Sequence, residues 1–248
     1  MITVSNLTLR RGGSTVLDQI DLQIPDKGIV AIIGPNGAGK STLLHSLAGL
    51  QKPDSGTVEI GGGDIHNMKE QDRAKVLSFL TQSQGAVPRL SVRDLISFGR
   101  WPHHRGRPTA EDRAIIDDAI DRFDLNALES REVESLSGGQ KQRAYIAMAY
   151  AQSTPWMFLD EPLAALDPKY TRDIMDRLRG LKDRSILIVL HDLSVAANHA
   201  DWVIGLKGGS VHCAGAWDEV ITSETLSDLY EVRLRLTEVE NQKTVIWG

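Results

Sequence analysis

The sequence predicts an α/β fold with a parallel-sheet core, an antiparallel β region at its N-terminal end and an inserted helical segment. Three observations lead there. Apolar positions alternate with polar ones at Ile2/Val4 and again at Ile20/Leu22/Ile24, the period of strands with one buried face. Ile29-Val-Ala-Ile-Ile33 is apolar at every position, as in a strand covered on both faces of a parallel sheet. Finally, residues 91 to 152 turn helical in composition before apolar strands return.

Element by element, Pro25-Asp-Lys-Gly28 is the expected turn after the first strands. The run at residues 29 to 33 stops at Gly34, and Ser-Thr-Leu-Leu-His-Ser-Leu-Ala-Gly49 then carries apolar residues at helical spacing and ends in glycine. Lys52-Pro-Asp-Ser-Gly56 reads as a turn and residues 57 to 60 as a short strand. In the helical segment, Thr109 and Asp112 stand as a capping box before Ile115, Ile116, Ala119, Ile120 and Phe123. Strands are expected at residues 156 to 159, 185 to 190 and 202 to 206, with a helix opened by Asp167-Pro168. The tail holds a helical stretch at residues 224 to 230 and a closing hairpin.

The 248 residues carry 28 Lys plus Arg against 33 Asp plus Glu, a net charge of −5, which argues against nucleic acid as a partner. No stretch approaches the ~18 to 20 apolar residues that cross a bilayer. The first residues lack a cationic start and an apolar core, so they read as a strand and not as a signal peptide. The lone cysteine, Cys213, offers neither a disulfide nor a zinc quartet; it is expected to be a buried thiol. A cytoplasmic location follows. His103, His104 and the His212-Cys213 pair lack the spacing of a closed metal site, so loop or strand positions are expected for them.

Gly34-Pro35-Asn36-Gly37-Ala38-Gly39-Lys40-Ser41 satisfies G-x-x-x-x-G-K-[ST], between a strand and a helix as that motif requires. Glycines let the backbone N–H groups turn toward phosphate oxygens, and the helix start adds partial positive charge. The pattern implies a phosphate-binding loop, with Lys40 on the β- and γ-phosphates and Ser41 on Mg²⁺. Trp156-Met-Phe-Leu-Asp160-Glu161 is an apolar strand ending in two acids. Successive strand side chains point to opposite faces, which would give Asp160 the Mg²⁺ hydration shell and Glu161 the attacking water. Leu136-Ser137-Gly138-Gly139-Gln140 precedes a run of good helix formers and supplies a capped helix start with small residues.

Together these three motifs resemble the ATP-binding subunit of ABC transporters, and the likeness covers nearly the whole chain as a single domain. It implies a P-loop NTPase (RecA-like) core that binds ATP with Mg²⁺ over residues 1 to 84 and 153 to 248, and a helical subdomain over residues 85 to 152. It identifies Gln82 with the Q-loop glutamine, Leu166-Asp167 with the D-loop and His191 with the switch histidine. The resemblance further implies that two copies sandwich two nucleotides, with Ser137 to Gln140 of one protomer facing the loop from Gly34 to Thr42 of the other. His191 would contact the γ-phosphate and orient Glu161, and Gln82 would touch metal, water and a transmembrane partner.

Leu95-Ile-Ser-Phe-Gly99-Arg100-Trp-Pro-His103, followed by Asp112, is similar to the helical subdomain of ATPases serving iron-siderophore, haem and cobalamin importers. Ferric siderophore uptake is the implied function, with haem or cobalamin import, or a soluble ABC-type ATPase in complex assembly, as alternatives. The implied partners are a second copy, integral-membrane permease subunits that would hold this chain at the cytoplasmic face of the inner membrane, and indirectly a substrate-binding protein. Two departures stand out: Thr81 replaces a common proline before Gln82, and Arg11 stands where most relatives carry an aromatic residue that stacks on adenine. A guanidinium can also lie flat on a purine, so Arg11 is either the base contact or a solvated arginine beside Arg10.

Overall fold

A computed structural model describes residues 1 to 26, 28 to 82, 89 to 104 and 106 to 248. Lys27 of the expected turn and the 84/85 subdomain boundary lie outside the described residues. The chain divides into two compact units, Met1–Met68 with Ser185–Gly248, and Lys69–Arg184.

The first unit begins with β1 (Ile2–Arg11) and β2 (Ser14–Ile24), an antiparallel pair with Ile2 opposite Ile24 and Val4 opposite Leu22. Then come β3 (Gly28–Ile33), α1 (Lys40–Leu47), β4 (Ser55–Ile60) and β5 (Gly63–Asp64). The first sheet has the order β2-β1-β4-β5. Its alternating apolar set is buried, with Ile2, Leu7, Ile20 and Ile24 at most 1% exposed.

The second unit holds α2 (Glu70–Val76), β6 (Leu77–Leu80), α3 (Val92–Phe98), α4 (Trp101–His104), α5 (Ala110–Arg122), α6 (Gly138–Ala151), β7 (Trp156–Leu159) and α7 (Pro168–Arg179). β6 and β7 run parallel, Leu77 beside Trp156 and Leu80 beside Leu159. The capping box at Thr109 forms, with Asp112 and Thr109 bonding each other's backbone N–H. One face of α5 is buried through Ile116, Ala119 and Ile120, while Pro168 opens α7 at its first position and Asp167 caps it.

Back in the first unit follow β8 (Ser185–Val189), α8 (Leu193–His199), β9 (Trp202–Lys207), β10 (Ser210–Ala216), α9 (Trp217–Val220), α10 (Ser223–Tyr230), and the hairpin β11 (Leu234–Val239) and β12 (Gln242–Trp247). These complete a sheet with the order β10-β9-β3-β8. β3 is parallel to both neighbours, so each of its residues from Ile29 to Ile33 is no more than 2% exposed.

Three expectations need correction. Cys213 is half-buried on β10, its Sγ lying against Gly205, because β10 is an edge strand. His103 and His104 sit on α4, since this segment closes a helical turn before Gly106. β7 ends at Leu159 and Glu161 has a φ of +48°, so a turn, and not strand alternation, separates the side chains of Asp160 and Glu161.

Candidate functional site

In the first unit, β3 delivers the chain into the glycine loop. Gly34 has a φ of +145°, and a Cβ there would lie 2.2 Å from the Leu206 carbonyl oxygen on β9. Gly39 caps α1 at φ +99°, with Leu17 Cδ2 at 2.9 Å and Val16 O at 3.0 Å from the place a Cβ would take. Gly37, at φ +78°, has nothing within 4 Å on that side. Glycine is thus required at the two ends for close backbone approach, while the middle of the loop stays open. Gly209 ties the loop to the first sheet, donating to Ala38 O at 3.2 Å and accepting from Asp18 N at 2.9 Å.

Lys40 is 5% exposed, and its Nζ donates to the carbonyls of Gly34 at 2.9 Å and Pro35 at 3.0 Å. Ser41 and Thr42 lie half-buried in the first turn of α1, whose leading N–H groups have no acceptor within the helix. Residues 34 to 42 contain no carboxylate. A buried ammonium, helix-start N–H groups, hydroxyls and an open glycine form a donor set that fits a polyphosphate anion.

A residue that sequence reasoning missed also touches this loop. The Tyr230 hydroxyl, at the end of α10 and 196 residues away in sequence, accepts the Gly34 N–H at 2.9 Å. Burial pushes the Tyr230 hydroxyl up to about 12, against the opposing pull of that N–H, so it stays protonated at neutral pH. A lone tyrosine in a polar C-terminal helix carries no sequence signal of this contact.

His191 follows β8, the strand paired with β3 in the register Ile32 to Val189, and Leu190 N donates to Ile32 O at 3.1 Å. It therefore emerges at the same sheet end as the loop, where ligands of open α/β sheets bind. Asp192 beside it caps α8 through the Ser194 and Val195 N–H groups. Arg11 is exposed at the end of β1, with Nη2 3.4 Å from Gln51 Oε1.

In the second unit, the carboxyl ends of β6 and β7 lie side by side, and Asp160 N donates to Leu80 O at 2.9 Å. Just beyond them Gln82 Nε2 donates to Glu161 Oε2 at 2.6 Å. Asp160 is 3% exposed, whereas Glu161 is half-buried. The left-handed backbone at Glu161 costs about 1 kcal/mol.

Ser137 caps α6, with Gln140 N donating to its Oγ at 3.4 Å and Ser137 N donating to Gln140 Oε1 at 3.1 Å. A Cβ on Gly139 would meet the Tyr170 ring at 2.4 Å, but one on Gly138 would meet nothing within 4 Å. Tyr170 N in turn donates to Asp167 Oδ1 at 3.0 Å. Tyr170 thus links the start of α6 to the Asp167 cap. Sequence reading did not single it out.

The second unit also buries an ion pair. Arg100 Nε donates to Asp112 Oδ1 at 3.0 Å and Arg100 Nη1 to Ala151 O at 3.0 Å. Burial alone would raise the Asp112 carboxyl; the Thr109 N–H and hydroxyl, then Arg100, outweigh it and hold the carboxyl at about 2. Among the described residues, no group of three or more His, Cys, Asp or Glu is arranged to hold a metal ion.

The geometry has counterparts among known proteins. The family described as ABC transporter matches residues 17–164. The petrobactin import ATP-binding protein FatE of Bacillus anthracis is 40% identical over 95% of this chain and 96% of its own length. The hemin import ATP-binding protein HmuV of Pseudomonas entomophila is 37% identical over 94% of this chain and 93% of its own. Among solved structures, a metal-chelate type ABC transporter in an inward-facing conformation has a TM-score of 0.84 at 25% identity, covering 100% of this chain and 96% of that one. A dimeric ATP-binding cassette in a post-hydrolysis state with ADP and Pi has a TM-score of 0.78 at 28% identity, over 87% and 98%. With its phosphate-receptive loop and this likeness along its length, the chain belongs to the ABC transporter family as an ATP-binding ATPase domain.

Proposed function

We propose that this ATPase energises import of a ferric siderophore through a separate membrane permease. The observation that carries the ATP-driven part is the loop closed around Lys40, a buried cation whose two carbonyl partners can be exchanged for phosphate oxygens. The petrobactin relative, similar over both chains' lengths, supports the siderophore. No helix among the described residues is long and apolar enough to cross a membrane, so translocation falls to partner subunits. These are integral-membrane permease subunits, fed by a substrate-binding protein, and they hold this chain at the cytoplasmic face of the inner membrane. Two copies of this chain form the ATP-binding dimer, a state for which the dimeric cassette offers a precedent.

The residues divide the work. Gly34 to Thr42 bind the phosphates, and Arg11 contacts the base. Glu161, oriented by Gln82, accepts the proton of the attacking water. His191 donates toward the γ-phosphate. Ser137, Gly138, Gly139, Gln140 and Asp167 complete the nucleotide site in the dimer. Oxygen atoms of Ser41, Gln82 and Asp160 suit Mg²⁺, which keeps water and phosphate ligands and needs no all-protein cage. When bound, it neutralises charge on the phosphates. In this assignment the core comprises residues 1 to 84 and 153 to 248, with the helical subdomain at 85 to 152.

Uptake of radiolabelled ferric siderophore, haem and cobalamin by cells carrying Lys40→Ala tests this reading. Loss of ferric siderophore uptake with the other two spared is expected. Normal uptake of all three, with the variant expressed and inactive as an ATPase, overturns the siderophore assignment and points to another substrate or a soluble role, and selective loss of haem or cobalamin uptake replaces the substrate.

A further inference from the structure

We propose that Tyr230 is a positioning residue for nucleotide binding, setting the phosphate loop through the Gly34 peptide. The inference rests on residues 34 to 42 being that loop. Gly34 is gripped on two sides. The Leu206 carbonyl oxygen occupies the space a side chain would need, and the Tyr230 hydroxyl takes the N–H. The Gly34 carbonyl, one φ/ψ pair further on, accepts from Lys40 Nζ. A line of contacts therefore runs from α10 through both peptide groups of Gly34 to the loop's cation. Fixing the N–H fixes one of the two peptide planes about a residue with unusual rotational freedom, and so limits where the carbonyl and the ammonium can go.

The end of α10 is itself anchored. Glu231 turns the chain with a φ of +56°, its carboxylate lies 3.2 Å from Lys207 Nζ, and that ammonium donates to the Asp228 carbonyl. Lys207 is the next residue after Leu206 on β9. The hydroxyl and the carbonyl that hold Gly34 are thus fixed to each other through Lys207. Tyr230 reaches the loop through the Gly34 N–H, so its effect is expected in binding and not in the chemical step.

Tyr230→Phe removes one oxygen atom and leaves the ring. In the full chain, the dissociation constant for ADP and the KM for ATP should rise about three- to tenfold, within the range of a typical hydrogen bond, with kcat unchanged. Leu229→Val, at a fully buried neighbour on the same helix, separates positioning from packing. It should lower the melting temperature yet leave both nucleotide constants unchanged. Nucleotide constants for Tyr230→Phe that match wild type overturn the proposal, as do equal rises in both variants, which would mean general loosening. Lys40→Ala is measured alongside. If it still binds ADP normally, the phosphate-loop reading falls and takes the proposal with it. If it fails to bind while Tyr230→Phe is unaffected, only the role of Tyr230 is lost.

Discussion

The loop of the first unit and the acidic turn of the second are fixed by different means. Residues 34 to 39 are held mainly by close backbone approach, Gly34 against Leu206 O, Gly39 against Val16 O and Gly209 against Ala38 O, to which the Lys40 and Tyr230 side chains add bonds at Gly34 and Pro35. In the second unit side chains do the holding, as with Gln82 on Glu161, Arg100 on Asp112 and Ser137 with Gln140. Close backbone approach leaves no room for an added atom at Gly34 and Gly39, whereas a side-chain-held turn depends on charges and hydrogen bonds that can be removed singly. The first arrangement suits a rigid anion cradle, and the second suits groups that must accept or hold a proton.

The largest effect expected on stability is at the loop. Gly34→Ala forces a methyl toward a strand carbonyl at a φ of +145° and should cost about 4 kcal/mol or more, seen as a lowered denaturation midpoint. A variant as stable as wild type would break the contrast.

Next comes Asp112→Asn, which leaves Arg100 buried without its counter-charge and should cost about 3 kcal/mol in chemical denaturation. The sign with pH follows from a carboxyl held below its ordinary 3.8. Its stabilisation is complete above about pH 4 and is lost as pH falls toward 2, so the wild type should weaken over that window more steeply than the variant.

The smallest effects separate two adjacent glycines. Gly139→Ala drives a methyl into the Tyr170 ring and should cost about 2 kcal/mol. Gly138→Ala has open space and should stay within about 1 kcal/mol of wild type. Equal losses at both positions would show that the packing of Tyr170 does not define the start of α6.

The same contrast explains what the sequence makes legible. In the loop the backbone constraint is written locally as glycine, and the caps at Ser137 and Thr109 find their partners three residues on, so the loop, its feeding strand and these helix starts could be read directly. Side-chain partners distant in sequence leave no such mark: Gln82 and Glu161 lie 79 residues apart, Arg100 and Ala151 51, Gly34 and Tyr230 196. The resemblance supplied Gln82, but nothing supplied Tyr230 or Tyr170. Among the elements, α2 buries no residue and so has no apolar period to detect. β10 lies at a sheet edge with only Gly215 fully buried, which hid it for the same reason. The turn at Glu161 was concealed because its left-handed backbone is built on a glutamate.

The division of labour between these two regions is tested most directly by measuring ATP affinity and hydrolysis rate together for Lys40→Ala and Glu161→Gln. Lys40→Ala should lose affinity. Glu161→Gln should bind ATP like wild type while hydrolysis falls by about 10²-fold or more, as expected when a general base is removed. Hydrolysis by Glu161→Gln at the wild-type rate, or loss of binding in both variants alike, would contradict the account.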